Sequence, residues 1–328
     1  MKNLNNDIVF CSALNEDYIP KKEIDNGRFI KNPERPSRLS LIYKFLRKHL
    51  QEIGLNTFPE DVLFLAHSED YVKYIKSKSI NTLQGEYLPE VFFVDPIFDT
   101  GTPISSKTYE AAFNSVKATL TGTNYALENN RITYVLTRPP GHHAMKKYAG
   151  GYCYFNNVAI SARYLEKNYN MRVAILDIDF HHGNGTQDIF YNDPNVLYVS
   201  IHGDPKIFYP WYSGYPNEIG AENAEGTNLN LPLPKGADFS VYKEALEKAC
   251  NKIFDYNPDF FILSFGTDTH INDPIGYFSL KDQDYIKIGL KIQTLIEKIG
   301  KGIIVHEGGY NRFSNLHAVK NFLEGLSS

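Results

Sequence analysis

Short runs of aliphatic, β-branched and aromatic residues recur along the chain: 8–13 (IVFCSA), 62–66 (VLFLA), 132–137 (ITYVLT), 172–179 (RVAILDID), 196–201 (VLYVSI), 260–266 (FFILSFG) and 302–309 (GIIVHEGG). Most are apolar throughout rather than alternating, as strands buried on both faces are. Stretches of helical spacing separate most of them. In 107–128, Tyr109, Ala112, Phe113, Val116 and Leu120 fall on one side of a helix; 239–254 and 282–299 are patterned alike. Such strands alternating with helices predict an α/β fold, a parallel sheet with helices on both faces. No internal repeat or low-complexity linker divides the chain, so one domain spanning 1–328 is expected.

Two stretches break the alternation. Residues 20–38 (PKKEIDNGRFIKNPERPSR) are polar and turn-rich, and 203–236 carry Gly, Pro and aromatics without periodicity. Loops of that length inside a compact domain are more often functional than idle.

Composition narrows the class. With 42% hydrophobic and 22% charged residues, the chain can bury an ordinary core, which excludes wholesale disorder. Its 34 basic and 38 acidic residues leave no basic surplus for nucleic acid or an anionic membrane, so neither is an expected partner. No run approaches the ~20 apolar residues of a membrane span, and the N-terminal stretch does not read as a signal peptide. Cys11, Cys153 and Cys250 are widely spaced, which suits neither a disulfide framework nor a thiolate metal site. A cytoplasmic protein is expected. The 23 Tyr and 21 Phe predict either an aromatic core or an aromatic-lined pocket.

Four of the apolar runs lead into reactive residues: 132–137 into Arg138-Pro-Pro-Gly-His142-His143, 172–179 into His181-His182-Gly-Asn184, 260–266 into Asp268 and His270, and 302–306 into Glu307-Gly-Gly-Tyr310. Parallel sheets bind ligands beyond the carboxyl ends of their strands, so the four should converge. Asp177, Asp179 and His181 alternate along one strand, so they are expected to share a face. Asp179 and His181 suit zinc or a similar divalent ion, and Asp268 from a neighbouring strand completes three ligands. Three protein ligands leave a position open for water and substrate. Iron(II) and cobalt(II) fit the same donors. His142 and His143 suit proton transfer near neutral pH, with Asp177 and Asn184 as candidate partners for their far nitrogens. Tyr310 can donate its hydroxyl to an oxyanion.

These blocks, RPPGHH (138–143), GYCYFNN (151–157), LDIDFHHGNGTQDIFY (176–191) and EGGY (307–310), resemble the signatures of the zinc-dependent histone deacetylase superfamily. HGDP (202–205), the 213–226 stretch with NLPLP (230–234), and GTDTHINDPIGYF (266–278) most resemble its acetylpolyamine amidohydrolase branch. The resemblance implies the arginase/deacetylase fold with an eight-stranded parallel sheet; the pattern offers seven candidate strands. It implies Asp179, His181 and Asp268 as zinc ligands, His142 and His143 as the acid/base pair, and Tyr310 as oxyanion donor. Gly151 and Tyr152 match the wall of a substrate tunnel, and Tyr209 a wall position often filled by phenylalanine. A structural potassium ion would use Asp177, Asp179, His181, Ser200 and Ile201. Asp99 aligns with a rim carboxylate that anchors substrate, and Glu86 and Glu90 add negative charge near the presumed entrance.

The implied activity is hydrolysis of N-acetylated amines, with a small cationic acetylpolyamine as substrate or, alternatively, acyl-lysine in proteins. Two departures bear on this. The family's HPERP block begins with Asn32 here, and 79–97 is shorter than the insertion that helps to build a dimer-enclosed entrance, so a homodimer stays open. A binuclear manganese ureohydrolase would want acids where Asn184 and His270 stand. A catalytically inactive acyl-binding module would not need the full set of ligands, histidines and tyrosine.

Overall fold

The structure is a computed structural model that describes residues 7–25, 27–89 and 96–328. In chain order the elements are β1 (Ile8–Ala13), β2 (Lys22–Asp25), β3 (Arg28–Lys31), α1 (Ser37–His49), β4 (Gln51–Glu52), α2 (Glu69–Asn81), α3 (Thr108–Asn129), β5 (Ile132–Thr137), α4 (Asn157–Tyr169), β6 (Val173–Asp177), α5 (Asn184–Phe190), β7 (Val196–Gly203), β8 (Asn228–Leu233), α6 (Phe239–Tyr256), β9 (Phe260–Phe265), α7 (Asp282–Ile299), β10 (Gly302–His306) and α8 (Arg312–Leu326). Eight strands form one sheet in the order β4-β1-β5-β10-β9-β6-β7-β8, and every pairing in it is parallel.

The runs that read as apolar throughout are buried on both faces. In β9, Phe261, Leu263 and Phe265 join the core beneath α1, α6, α7 and α8, while Phe260 and Ile262 join the core beneath α2, α3 and α4. Period-two geometry sends alternate residues to opposite layers, so both sets must be apolar.

Three expectations need correction. The 62–66 run is a 3-10 turn within Glu60–Leu65, not a strand: Val62 and Leu63 are buried while Phe64 is exposed, and a five-residue apolar run does not distinguish the two by period. The sheet's eighth place, and the one wrongly given to 62–66, are filled by β4, two residues long, and by β8 inside the 203–236 stretch. The 20–38 stretch contains the β2–β3 hairpin.

One buried ionic unit organises the carboxyl edge of the sheet. Glu34 lies between two arginines, Oε2 to Arg38 Nε at 2.5 Å and Oε1 to Arg138 Nε at 2.8 Å, and all three are buried. Arg38 also donates to the Glu307 carbonyl, and Arg138 to the Leu14, Asn15 and Tyr18 carbonyls. The loops after β1, β5 and β10 are thereby referenced to one carboxylate. Glu34→Ala strands two buried guanidinium groups, so urea unfolding should register a loss of about 3–5 kcal/mol.

Candidate active site

The loops leaving β5, β6, β9 and β10 meet at the carboxyl edge, as the sequence predicts. Strand β6 ends at Asp177, so the expectation that Asp177, Asp179 and His181 share a strand face does not hold as stated. Their placement comes from two consecutive Asx-type bonds instead: the Asp179 amide donates to Asp177 Oδ1 at 3.1 Å, and the His181 amide to Asp179 Oδ1 at 2.9 Å. Asp268, just beyond β9, accepts from the Phe180 amide at 2.9 Å. Asp179 Oδ2 accepts from the Gly308 amide at 2.8 Å.

Among the described residues, Asp179, His181 and Asp268 form a cluster with one potential ligand atom each, all within 4.8 Å of one another. His181 Nδ1 lies 3.3 Å from Asp179 Oδ1 and 3.0 Å from Asp268 Oδ2. The donor set fits a divalent cation. Burial and the adjacent Asp179 charge push Asp268 up to about 8, as close buried carboxylates do to one another. A Cβ at Gly266 or Gly308 would run into the Asp179 carboxylate, so glycine at both positions leaves the pair its room. His270 turns away, its Nε2 2.9 Å from Asp282 Oδ1.

The tandem histidines stand in opposed environments. His142 Nδ1 is 3.0 Å from Asp177 Oδ2, and its Nε2 is 3.8 Å from Asp179 Oδ1. Burial works against its charged form, but Asp177 and Asp179 outweigh it and push His142 up to about 10. His143 Nδ1 faces the neutral Asn184 Oδ1 at 2.7 Å. Burial, then the fields of His142 and His181, push His143 well below its usual value. The two rings, with centroids 4.0 Å apart, are thus biased in opposite directions.

Tyr310 is clamped from three sides. Its amide donates to Asp273 Oδ2 at 2.6 Å, Arg38 lies 5.4 Å from its ring centroid, and Tyr152 packs edge-on at 5.7 Å. Burial raises its phenol well above the usual range, so it remains a donor. Tyr209 packs against His143 at 5.0 Å and His181 at 6.2 Å. Gly151 has φ +54°, and a Cβ there would meet the His143 ring, which fixes glycine at that wall position.

Asp99 ties together the loops that carry Gly151 and Tyr209. Its Oδ1 accepts from the Gly101 amide and Thr102 Oγ1, its Oδ2 from the Gly151 amide at 2.6 Å and the Tyr209 hydroxyl at 2.7 Å. Glu86 accepts from the Lys21 amide at the foot of the hairpin; Glu90 lies outside the described residues. Of the residues implied for potassium, Asp177 and Ser200 are register partners across β6 and β7, next to Ile201.

Several participants escaped the sequence reading. Glu307 Oε2 accepts from the Gly141 amide at 2.7 Å and so holds the histidine turn. Tyr198 donates to Asp177 at 3.0 Å. Glu23 of β2 interacts with Tyr152 and is pushed up to about 7, mainly by burial; Asn32, the departure from HPERP, donates to it at 3.3 Å. Glu307, Asp273 and Asn32 lay inside motifs already singled out, which was the available signal; Tyr198 and Glu23 carried none.

A model of the histone deacetylase domain matches residues 32–326. The chain belongs to the histone deacetylase family. It is 43% identical over 213 residues to acetylpolyamine amidohydrolase 1 of Pseudomonas aeruginosa, an alignment covering 65% of this chain and 61%, under two thirds, of that relative. To acetylpolyamine amidohydrolase 2 of the same organism it is 36% identical over 317 residues, 88% of this chain and 90% of the relative. The crystal structure of acetylpolyamine aminohydrolase from Burkholderia pseudomallei superposes with a TM-score of 0.92 at 29% identity, over 98% of this chain and 99% of that one. The architecture is therefore the arginase/deacetylase fold. No helix among the described residues is long and apolar enough to cross a membrane.

If the cluster is the metal site, Asp268→Ala should lose bound metal and turnover together, read by elemental analysis beside an activity assay. Full metal occupancy with normal turnover would remove Asp268 from the ligand set.

Proposed function

We propose that the chain is a metal-dependent amidohydrolase that releases acetate from small cationic N-acetylated amines, with acetylpolyamines as the substrate class. The observation that carries the reading is the pair of histidines backed by a carboxylate behind His142 and an amide behind His143, beside an Asp-His-Asp cluster. Neighbouring groups whose environments drive their proton affinities apart mark an acid and a base. Asp179, His181 and Asp268 would hold the ion, zinc by preference. When bound, such an ion polarises the acetamide carbonyl and acidifies water.

The chain's own residues supply the remainder. His143, neutral and bonded through Nδ1 to Asn184, offers Nε2 to take a proton from the attacking water. His142, kept cationic by Asp177, stabilises the negative charge that develops and holds a proton for the leaving amine. Tyr310 donates its hydroxyl to the oxyanion. The bond broken is the amide C–N, and acetate and a free amine result. Asp177, Asp179, His181, Ser200 and Ile201 would hold the potassium ion.

Substrate choice rests on the walls and their charge. Tyr152, Tyr209 and Tyr310 offer aromatic faces to an alkyl chain or an ammonium group. Glu86 and Asp99 would favour a cation at the entrance, each partly exposed pair contributing about 1 kcal/mol or less and weakening with salt. The similarity to proteins named acetylpolyamine amidohydrolases supports this choice over acyl-lysine in proteins. A single catalytic unit over residues 1–328, in the cytoplasm, completes the proposal.

Two outcomes test it. Tyr310→Phe should keep its metal while kcat falls by roughly two to three orders of magnitude, the scale of one oxyanion donor; unchanged turnover would leave Tyr310 a packing residue. In competition assays, acetylputrescine or acetylspermidine should outrun acetyl-lysine peptides, with the advantage shrinking at high salt. Peptides turned over faster than every acetylpolyamine would assign the chain to protein deacetylation.

A further inference from the structure

Asn184 meets His143 through an amide whose two ends are nearly identical in shape but opposite in hydrogen-bonding character. With Oδ1 toward His143, the imidazole carries its proton on Nδ1 and leaves Nε2 free to accept. With the amide turned over, Nδ2 faces Nδ1, the ring proton moves to Nε2, and the base is lost. A carboxylate at 184 would have no such ambiguity, so an asparagine there needs something else to set its orientation.

Two groups contact the Asn184 nitrogen. The His143 carbonyl is distant, at 3.5 Å. The Tyr212 hydroxyl oxygen accepts from Nδ2 at 2.8 Å, and its own hydrogen is directed to the Met145 thioether at 3.5 Å. A turned amide would take the hydroxyl's hydrogen on Oδ1 instead, but it would forfeit the thioether contact and set Oδ1 against the His143 carbonyl. Tyr212 also lines a surface cleft of about 350 Å³ with Met145, Asn184, Gln187 and Ser213. Water entering there could bond either end of the amide equally well.

The local backbone is shaped to deliver this side chain. Trp211, immediately before it, has φ +62°, a conformation unfavourable for a bulky residue, and its own ring is left largely exposed at 58%. Tyr212 meanwhile packs edge-on against Phe98 at 6.0 Å. The loop accepts strain at a residue that gains little burial, and the next side chain reaches Asn184.

We infer that Tyr212 is a positioning residue for the base: it holds the Asn184 amide in the orientation that keeps the His143 proton on Nδ1. Tyr212 touches neither substrate nor metal ligands in this role, and the inference rests on the amide-hydrolysis reading only in naming His143 as the base.

Tyr212→Phe removes the hydroxyl and keeps the ring. For acetylputrescine, kcat should fall about five- to tenfold, the worth of one hydrogen bond, while KM stays within about twofold. Imidazole 15N spectra of the metal-loaded protein, with His143 assigned from His143→Ala, should show an Nε2–H population that wild type lacks. In an Asn184→Asp background, Tyr212→Phe should leave the His143 tautomer unchanged and alter kcat by less than about twofold, because a carboxylate accepts at both ends. Unaltered tautomer and kcat in Tyr212→Phe, or an equal fractional loss of kcat in both backgrounds, would overturn the inference. The tautomer is read without turnover, so it stands apart from the substrate assays that test the hydrolase reading.

Discussion

Everything at the catalytic edge hangs on charge buried without water. Glu34 bridges Arg38 and Arg138 with almost no exposure of any of the three, and isolated ions so placed cost several kcal/mol each unless paired and fully bonded. The unit is therefore all-or-none. Once Arg138 has its partners, the Pro-Pro-Gly turn that carries the histidines is fixed; once Arg38 has its own, so is the Glu-Gly-Gly turn that carries Tyr310. Two loops far apart in sequence acquire a common origin from one carboxylate. Glu307 then joins them directly by accepting from the Gly141 amide.

Within that frame the site works by asymmetry. Two adjacent imidazoles of identical chemistry are separated by what stands behind them, a carboxylate for His142 and an amide for His143. The carboxylate stabilises charge. The amide orients without supplying any, which leaves the second ring free to accept a proton rather than hold one. The fields of His142 and His181 reinforce the difference.

How much of this could be read from the residues follows from the range of each interaction. The strands buried on both faces were legible because both layers take mostly apolar residues, and the helices between them because their apolar stripe repeats. Strand β8 was not, since two of its three buried residues, Asn228 and Asn230, are polar and both donate to Gln187, while Leu229 and Leu231 are only partly buried. Strand β4 is too short to carry a pattern at all. The metal cluster and histidine pair sit in contiguous motifs and could be named directly. Arg38 and Glu307 are 269 positions apart, and Tyr212 contacts Asn184 across 28; no local spacing encodes those meetings.

Asp99 has a consequence for breadth of substrate. One carboxylate oxygen receives both the Gly151 amide and the Tyr209 hydroxyl, from loops that follow different strands. Spreading those loops to admit a bulkier acyl group means giving up at least one charge-assisted bond and, for a wide opening, both. At about 1.5 kcal/mol or more apiece, an opened form would be populated roughly a hundredfold less than the closed one. On the proposed reading the doorway would be a stiff gauge rather than a hinge, sorting acyl groups by girth before any bond is broken.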